Sequence, residues 1–324
     1  MRKVDSVNSF DKLKLLADSR RLDILRLLMA SPATITQLAR TLKRSPAWIR
    51  HHILSLESAD LVEVSEVRKT GKVTEKYYRA KADALLLQQI VLPNTRRPAL
   101  IFSGSHDLAL EQMAKRLEKH IALLSLSVGS LDGLVNLRQG LCQISGSHLL
   151  DENGEYNTPF VRHLFPDRDM QVITLAYRTQ GLMLARGNPR GIKKIADIAR
   201  SNVRFVNRNS GSGTRLWLDT ELKKLKIPAE KIQGYDRAVI THSHAASAVQ
   251  SSRADAALGL QAAAHIYGLD FIPLFEERYD LILPRENEKT LAPILDYLQT
   301  SNFRNELHAL TGYDSAHSGE QIHL

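Results

Sequence analysis

Serine, glycine and threonine cluster in three short loops that each lead into a predicted helix. A helix that begins after such residues offers free backbone N–H groups, hydroxyl donors and the positive end of its dipole. Glycine also lets an anion approach the backbone without a Cβ in the way. Each loop alone is typical of an ordinary helix N-cap, but three in one domain could direct their donors at one small oxyanion. The loops are Ser103-Gly104-Ser105-His106-Asp107, Gly129-Ser130 and Gly211-Ser212-Gly213-Thr214.

Other ligand chemistries fit the sequence less well. The third loop lacks the lysine of a nucleotide P-loop and the third glycine of a dinucleotide fingerprint, so the expected ligand is small and not a nucleotide. Cys142 is the single cysteine, which excludes an internal disulfide and argues against a cysteine-based metal site. The stretch Thr241–His244 could offer two imidazoles to a metal, but a capped start of a helix over 245–252 is the preferred interpretation. No cofactor is expected.

The sequence shows no assembled catalytic set, so we expect a protein that is not an enzyme. Ser105 and His106 are adjacent, and neighbouring side chains diverge, so they cannot form a nucleophile–base pair by adjacency. Glu276 and Glu277 lie on a predicted strand and point to opposite faces, which prevents them from acting as an acid and a base together. The sequence also contains no G-x-S-x-G nucleophile elbow.

The positive charge of the chain is confined to its first 97 residues. Residues 1–97 hold 19 Lys and Arg against 10 Asp and Glu, whereas the remaining residues hold 25 of each. An excess confined to one small domain is typical of a surface that binds a polyanion, most often nucleic acid. The neutral remainder then needs a separate task, so we expect at least two domains.

Capping residues and apolar spacing predict a helix-turn-helix in this basic part. Apolar residues recur at helical spacing over 11–31. Thr34 begins a capping box for a short helix that ends near Leu42. Ser45, followed by a proline, is the N-cap of a second helix that runs to about Ser58.

A basic hairpin follows these helices. Alternating residues over 61–67 and 73–79 predict two strands joined by a basic tip. In this arrangement the second helix enters the major groove of double-stranded DNA while the wing lies along phosphates. The residues expected to contact DNA are Ser45, Ala47, Trp48, Arg50, His51, Arg68, Lys69 and Lys72.

Residues 10–82 resemble the ArsR-type winged-helix repressors, which implies a DNA-binding transcriptional regulator. Metal-sensing members of that family hold a thiolate site on the helix that corresponds to 34–42. This helix has no cysteine, so metal sensing there is not implied. The resemblance is carried by Thr36-Gln37-Leu38-Ala39, Ser45, Ile49-Arg50-His51-His52-Ile53 and Ala59-Asp60-Leu61-Val62.

An apolar helix is predicted over 81–91. Terminal helices of this kind pair across a dimer in the winged-helix family, which implies a homodimer. A linker helix packed on its own domain is an equally good interpretation. The polar, proline-containing segment 93–98 is the expected linker between a winged helix-turn-helix domain over 1–92 and a larger domain over 99–324.

Alternating strands and helices in the larger domain predict an α/β fold with parallel strands, whose ligands bind beyond the carboxyl ends of those strands. Two long extended stretches, 171–185 and 270–284, could cross between two lobes. The first lobe would then comprise about 99–185 and 270–324, and the second about 186–269.

This order of elements resembles the two-lobed type II periplasmic-binding-protein fold, in particular cytosolic domains related to molybdate- and tungstate-binding proteins. Besides the three loops above, the resemblance is carried by Gly146-Ser147-His148-Leu149-Leu150-Asp151, Gly154-Glu155-Tyr156-Asn157, Phe205-Val206-Asn207-Arg208, Arg253-Ala254-Asp255 and Phe275-Glu276-Glu277-Arg278-Tyr279-Asp280. The ligand-binding residues that it implies are Ser103, Ser105, Ser130, Ser212, Thr214, Tyr156 and Asn157.

Some of these assignments have alternatives. Tyr156 and Asn157 would line the mouth of the site, although turn residues of the loop are the competing interpretation. Arg208 and Arg215 could add charge, but a surface or lobe-bridging position is more frequent for an arginine.

Together these features predict a one-component transcriptional regulator whose larger domain senses a small oxyanion, with molybdate or tungstate as the bound effector. A small organic anion or phosphorylated metabolite is the alternative ligand, and an enzyme with a DNA-binding regulatory head is a third hypothesis. The first ten residues are polar and no stretch is apolar enough to span a membrane, so we expect a cytoplasmic protein without a membrane partner.

Overall fold

Two units make up the chain, Met1–Val91 and Leu92–Leu324. The computed structural model describes residues 4–7, 9–70, 73–87, 90–94 and 96–324. Within the described residues, no helix is both long and apolar enough to cross a membrane.

The first unit is a small helical domain with a β-hairpin. Its buried core is formed by apolar residues of the helices, among them Ile24, Ile49 and Ile53, and by residues of the hairpin. Its elements are β1 (Val4–Val7), α1 (Phe10–Leu16), α2 (Ser19–Ala30), β2 (Ala33–Thr34), α3 (Ile35–Leu42), α4 (Pro46–Ser58), β3 (Val62–Thr70), β4 (Val73–Ala80) and β5 (Ala84–Leu87).

The predicted helix caps of this unit are confirmed. The side chain of Thr34 accepts a hydrogen bond from the backbone of Gln37, and the side chain of Gln37 accepts one from the backbone of Thr34. Ser45 accepts a hydrogen bond from the backbone N–H of Trp48 at 3.3 Å and caps α4. Strands β3 and β4 pair antiparallel and form the predicted wing.

The helical spacing over 11–31 corresponds to two helices, because Asp18 accepts a hydrogen bond from the backbone N–H of Arg20 and starts α2. One prediction for the first unit was wrong. The predicted helix over 81–91 is absent from its described residues, and β5 instead pairs in parallel with β1. A short apolar run fits both helical and strand periods, and its partner strand lies far away in the sequence, so the pattern alone could not reveal the pairing.

The second unit is built on one large sheet with helices on both faces. Its elements are β6 (Ala99–Gly104), α5 (Leu108–Arg116), β7 (Ala122–Ser127), α6 (Ser130–Arg138), β8 (Ile144–Ser147), α7 (Thr158–Leu164), β9 (Met170–Leu184), β10 (Phe205–Arg208), α8 (Gly213–Lys224), β11 (Ala238–Val239), α9 (His242–Gln250), β12 (Ala256–Leu260), α10 (Gln261–Ile266), β13 (Asp270–Pro284), α11 (Glu288–Leu298), α12 (Ser301–His308), β14 (Tyr313–Asp314) and β15 (Gln321–Ile322).

The sheet order divides this unit into two lobes. The strands run in the order β11-β10-β12-β9-β13-β8-β6-β7, and β14 and β15 also pair with β9. We call β8, β6 and β7 with their helices the first lobe, and β12, β10 and β11 with theirs the second lobe. Strands within the first lobe are parallel, as are β10, β11 and β12 within the second.

The predicted long extended stretches are confirmed as the two strands that join the lobes. Strands β9 and β13 pair antiparallel along their length, with register shifts between Pro273 and Phe275 and between Tyr279 and Asp280. Gly181 of β9 lies where a Cβ atom would be 2.0 Å from the carbonyl oxygen of Ile272, so the close approach of the strands requires glycine there. The crossing strands form the floor between the two lobes.

Candidate functional site

Three buried side chains contact one another in a row between the lobes. The Oγ atom of Ser105, which follows β6, is 2.9 Å from Nε2 of His148, which follows β8. The Nδ1 atom of His148 is 2.7 Å from Oε2 of Glu277 on the crossing strand β13. All three residues are at most 2% exposed. Ser105 therefore pairs with a histidine 43 positions away rather than with its neighbour His106, a contact that adjacency in the sequence could not reveal.

The charge state of Glu277 determines the tautomer of His148. Burial by itself would raise the pKa of Glu277, but Arg178 and His148 outweigh it and hold that pKa at about 2. The ionised carboxylate only accepts, so Nδ1 of His148 carries the proton and Nε2 accepts from the hydroxyl of Ser105. Burial also lowers the pKa of His148, which keeps the imidazole neutral near pH 7.

Arg178 on β9 is balanced by two carboxylates. Its Nη1 atom is 2.7 Å from Asp107, and its Nη2 atom contacts Glu277. The guanidinium also packs over the ring of Tyr279, 4.2 Å from the ring centroid. The hydroxyl of Tyr313 donates to Asp107 at 2.6 Å. This network fixes both carboxylates at the floor of the site.

Arg208, at the carboxyl end of β10, has no such partner. It is 1% exposed, and among the described residues no carboxylate lies within ion-pair distance of it. Its Nη1 atom lies 2.8 Å from Nδ1 of His242, its Nη2 atom donates to the carbonyl of Ile240 at 2.7 Å, and its Nε atom has no hydrogen-bond partner. Burial and the nearby Arg178 lower the pKa of Arg208 to about 9. The interpretation of Arg208 as a surface residue was wrong.

His242 next to Arg208 is a neutral imidazole. Burial and the neighbouring arginines lower the pKa of His242 well below its usual value of 6.5. It begins α9, whose N-cap Thr241 accepts from the backbone N–H of His244 at 3.0 Å. The preferred interpretation of this stretch as a capped helix start is thus confirmed. Among the described residues, no group of three or more His, Cys, Asp or Glu is arranged to hold a metal ion.

Four of the predicted ligand residues come together around this site. Ser105 contacts His148, and Ser130 accepts from the backbone N–H of His148 at 3.2 Å. Thr214 hydrogen-bonds Gln180 at 3.0 Å, and Gln180 in turn donates to Glu277 at 2.7 Å. The fourth, the buried Ser212, caps α8 by accepting from the backbone N–H of Arg215.

The other three predicted ligand residues have separate placements. Ser103 accepts from Asn136 at 2.9 Å and so ties α6 to the sheet. Asn157 accepts from the backbone N–H of Leu149 and donates to Asp280, both at 2.8 Å, which makes it part of a buried turn. Tyr156 is half-buried and lines a cavity beside His148.

The loops of the two lobes contact each other over the site. Asn209 of the second lobe donates to the carbonyl of Val128 in the first lobe at 2.8 Å. The first turn of α8 packs directly on His148, because a Cβ atom on Gly213 would be 2.5 Å from Nδ1 of that ring. The amino-terminal turns of α6 and α8 therefore flank His148.

The sequence prediction missed the charged floor of the site. Arg178, Gln180 and Glu277 lie within the two long extended stretches, and each is at most 2% exposed. A charged residue at the inward register of a buried strand is a signal for a polar site. It could have been read from the sequence only once the pairing of β9 with β13 was known.

The predicted DNA-contacting residues lie on α4 and the wing. Ala47, Arg50 and His51 are exposed, and Ser45 is the cap described above. Trp48 is half-buried, with its ring 4.2 Å from the ring of His52.

On the wing, Lys69 is exposed and Arg68 is bound to Glu66 at 2.8 Å. Arg68 also lies over the ring of Tyr77, 4.5 Å from its centroid. Lys72 lies outside the described residues.

Two family models match the chain. One, described as PBP superfamily domain, matches residues 110–299, which is more than half of the sequence. The chain belongs to the PBP superfamily. The other model, described as bacterial regulatory protein, arsR family, matches residues 18–64 of this PBP-superfamily protein. These matches confirm the predicted winged helix-turn-helix followed by a two-lobed α/β domain, and they make the chain an ArsR-type DNA-binding regulator with a PBP-like domain.

Two relatives of this PBP-superfamily protein have no stated activity. The present chain is 36% identical over 229 residues to the uncharacterized protein YvgK of Bacillus subtilis (strain 168). The match covers 70% of this chain and 74% of YvgK. The chain is 35% identical over 108 residues to an uncharacterized protein in the ferredoxin 2Fe-2S gene 5′ region of Clostridium pasteurianum, across 32% of this chain and 96% of that one.

Two solved structures align with about two thirds of this chain. The tungstate ABC transporter structure from Geobacter sulfurreducens aligns with a TM-score of 0.45 and 14% identity, covering 63% of this chain and 95% of that one. An ABC-type phosphate transport receptor from Vibrio cholerae aligns with a TM-score of 0.44 and 14% identity, covering 66% and 98%. Likeness at this level says nothing about the ligand.

Proposed function

We propose that this protein is a transcriptional regulator that binds double-stranded DNA through its winged helix-turn-helix and a small oxyanion between its two lobes. Molybdate and tungstate are the proposed effectors. The observation that carries the proposal is Arg208, a buried guanidinium without a carboxylate partner among the described residues.

A buried cation of this kind is unfavourable unless an anion accompanies it. Transfer of an unpaired charge out of water costs several kcal/mol, of the order of 3–5 kcal/mol when one partner of a buried pair is missing. The charges of Arg178, Arg208, Asp107 and Glu277 sum to zero, but both carboxylates contact Arg178. An oxyanion at Arg208 would give this second guanidinium charge-assisted hydrogen bonds of its own.

Helix termini support the same ligand. The amino-terminal turns of α6, α8 and α9 follow strands of the two lobes, which run in opposite senses toward the middle of the crossing strands β9 and β13. Each turn offers N–H groups and the positive end of a helix dipole. Ser130 and Thr214 lie in the first turns of α6 and α8. These donors are neutral and fixed, which suits a compact, highly charged anion.

The first unit supports the DNA-binding half of the proposal. The exposed residues Ala47, Arg50 and His51 share one face of α4, and Lys69 extends from the wing. We propose that two copies of the chain bind DNA as a homodimer, because helix-turn-helix readers of two half-sites about 34 Å apart are placed by a dimer.

An anion panel on two matched variants tests the ligand. Arg208→Met removes the unpaired guanidinium, whereas Arg215→Met removes an arginine of the neighbouring helix that is already paired with Asp219 at 3.2 Å. A ligand at 100 times its Kd stabilises the folded protein by about 2.7 kcal/mol. We expect molybdate or tungstate to raise the Tm of the wild type and of Arg215→Met but not of Arg208→Met.

The same panel includes sulfate, phosphate and small organic anions as separate samples. Stabilisation by an organic or phosphorylated anion alone would contradict the metal-oxyanion effector and identify the other ligand class. If no anion stabilises the wild type, or if Arg208→Met responds like the wild type, the proposed anion site is wrong.

A further inference from the structure

The row Ser105–His148–Glu277 has the order and spacing of a nucleophile, a general base and an orienting carboxylate. Its two contacts, 2.9 Å and 2.7 Å, lie within the reach of about 2.6–3.2 Å that such sets use. The residues come from three separate segments of the chain, as in hydrolases that share this constellation on unrelated folds. We propose that this row gives the PBP-like domain a second activity, the hydrolysis of small neutral carboxylic esters at Ser105.

The residues around the row set the protonation states of Glu277 and His148. Glu277 is held ionised by Arg178 and by the amide of Gln180, which donates to it at 2.7 Å. Burial keeps His148 neutral, and its Nε2 lies within hydrogen-bond distance of the hydroxyl of Ser105. A serine hydroxyl that donates to such a nitrogen can lose its proton as it attacks.

Another serine of the same unit, Ser315, contacts a histidine that has no carboxylate partner among the described residues. Ser315 lies 3.2 Å from Nε2 of His308, but among the described residues no carboxylate makes an ion pair with that histidine. The pair lacks the third member that orients the ring. Ser315 therefore provides a natural control within the same chain.

The amino-terminal turns of two helices flank the row. The first turn of α8 packs on His148 through Gly213, which has no Cβ atom to hold the backbone away. On the other side, Ser130 begins α6 and its hydroxyl accepts from the backbone N–H of His148. Backbone N–H groups at helix termini stabilise oxyanions in acyl transfer.

The reaction balances with water as the only co-reactant. Oγ of Ser105 bonds to the ester carbonyl carbon while its proton passes to Nε2 of His148. The carbon–oxygen bond to the alcohol then breaks, and the alcohol leaves with that proton. Water next bonds to the acyl carbon and gives a proton to His148, the bond to Ser105 breaks, Ser105 regains the proton, and a carboxylic acid is released.

The cavity beside the row indicates the class of ester. Its volume is about 450 Å³, and both His148 and Glu277 line it together with the rings of Tyr156, Trp217 and Phe275. These rings suit a flat, apolar group of the ester.

The charge of the cavity wall restricts the substrate further. Asp151, Glu152 and Glu221 are also on the wall, whereas its single lysine, Lys224, is bound to Glu221 at 2.7 Å. These carboxylates repel a negative charge, so the row is expected to prefer neutral aryl esters over anionic ones.

Labelling of the full-length protein with diisopropyl fluorophosphate tests the nucleophile directly. We expect one covalent adduct per chain, located on Ser105 by peptide mass, absent in Ser105→Ala and retained in Ser315→Ala. Thermal unfolding of Ser105→Ala checks that the variant is folded. No adduct on Ser105 of the wild type would overturn the proposal without reference to any variant.

Turnover of p-nitrophenyl acetate and of an anionic aryl ester tests the role of His148 and the preference for neutral esters. We expect hydrolysis of the neutral ester to fall 10²–10⁴-fold in His148→Gln and to be faster than that of the anionic ester. If the rate of ester hydrolysis is the same in Ser105→Ala and His148→Gln as in the wild type, other groups on the surface cause the hydrolysis. The proposal that the row is catalytic would then be rejected.

Discussion

Individual side chains between the lobes differ in how their charge is compensated. Arg178 contacts two carboxylates, whereas Arg208 contacts an imidazole and a backbone carbonyl. The two histidines in this region, His148 and His242, are fully enclosed, and burial is the main cause that lowers the pKa of each. A protonated imidazole at either place would add a positive charge beside a guanidinium.

These two histidines make stability depend on pH. Their pKa values in the unfolded chain are near 6.5 and their pKa values in the folded protein are lower, so below pH 6.5 the unfolded chain binds more protons. The free energy of unfolding should then fall with decreasing pH by up to about 1.4 kcal/mol per pH unit for each histidine. Denaturant unfolding between pH 8 and pH 5 measures this slope.

Substitution of one histidine measures how much that residue contributes to the dependence of the free energy of unfolding on pH. His242→Asn should give a flatter dependence on pH than the wild type, whatever its effect on absolute stability. His120→Gln changes an exposed side chain and is the control. An equal slope in the wild type and in His242→Asn would contradict the assignment.

At the scale of elements, helices that are defined by nearby capping residues could be predicted from the sequence. Strands that pair with distant parts of the chain could not. The caps at Thr34 and Ser45 are contained in four consecutive residues each, so α3 and α4 could be placed from the sequence. The strand at Ala84–Leu87 depends on a partner near the start of the chain and was mistaken for a helix. The serine loops were found because their signal is local. The contact between Arg178 of β9 and Glu277 of β13 was missed because it depends on the pairing of two distant strands.

Helix α4 and the wing should contribute differently to DNA binding. Arg50 is exposed on α4, where base edges are read, whereas Lys69 on the wing lies where phosphates are expected. Lys69→Ala should weaken binding to all sequences alike and reduce the slope of log K against log salt by about 1. Arg50→Ala should instead reduce the preference for the operator over random DNA.

Fluorescence anisotropy with operator and random duplexes at several salt concentrations measures both effects. Arg26→Ala removes an exposed arginine of α2 in the same unit and is the matched control. If Arg26→Ala lowers affinity as much as Lys69→Ala does, binding follows net charge rather than the predicted face.

At the scale of the whole molecule, the two functions should be thermodynamically linked. An effector that changes operator affinity must prefer one of two states of the protein, and typical couplings are about 5–150-fold. We expect tungstate or molybdate to change operator affinity by such a factor, and operator DNA to change anion affinity by the same factor. Anisotropy with and without the anion, and calorimetry with and without DNA, measure the two directions.

Arg208→Met should abolish this coupling while leaving operator affinity without the anion unchanged. The coupling is a property of both units, so neither unit alone can show it. Anion binding that leaves operator affinity unchanged in the wild type would separate ligand binding from regulation.

The central position of β13 has a consequence for synthesis on the ribosome. This strand lies between β9 and β8 in the sheet, so the first lobe cannot join the rest of its sheet until residues 270–284 have been translated. The described helices and the wing of the first unit are complete once residue 87 has emerged. A nascent or prematurely terminated chain would thus contain the residues of the helix-turn-helix and the wing before the PBP-like domain can complete its sheet.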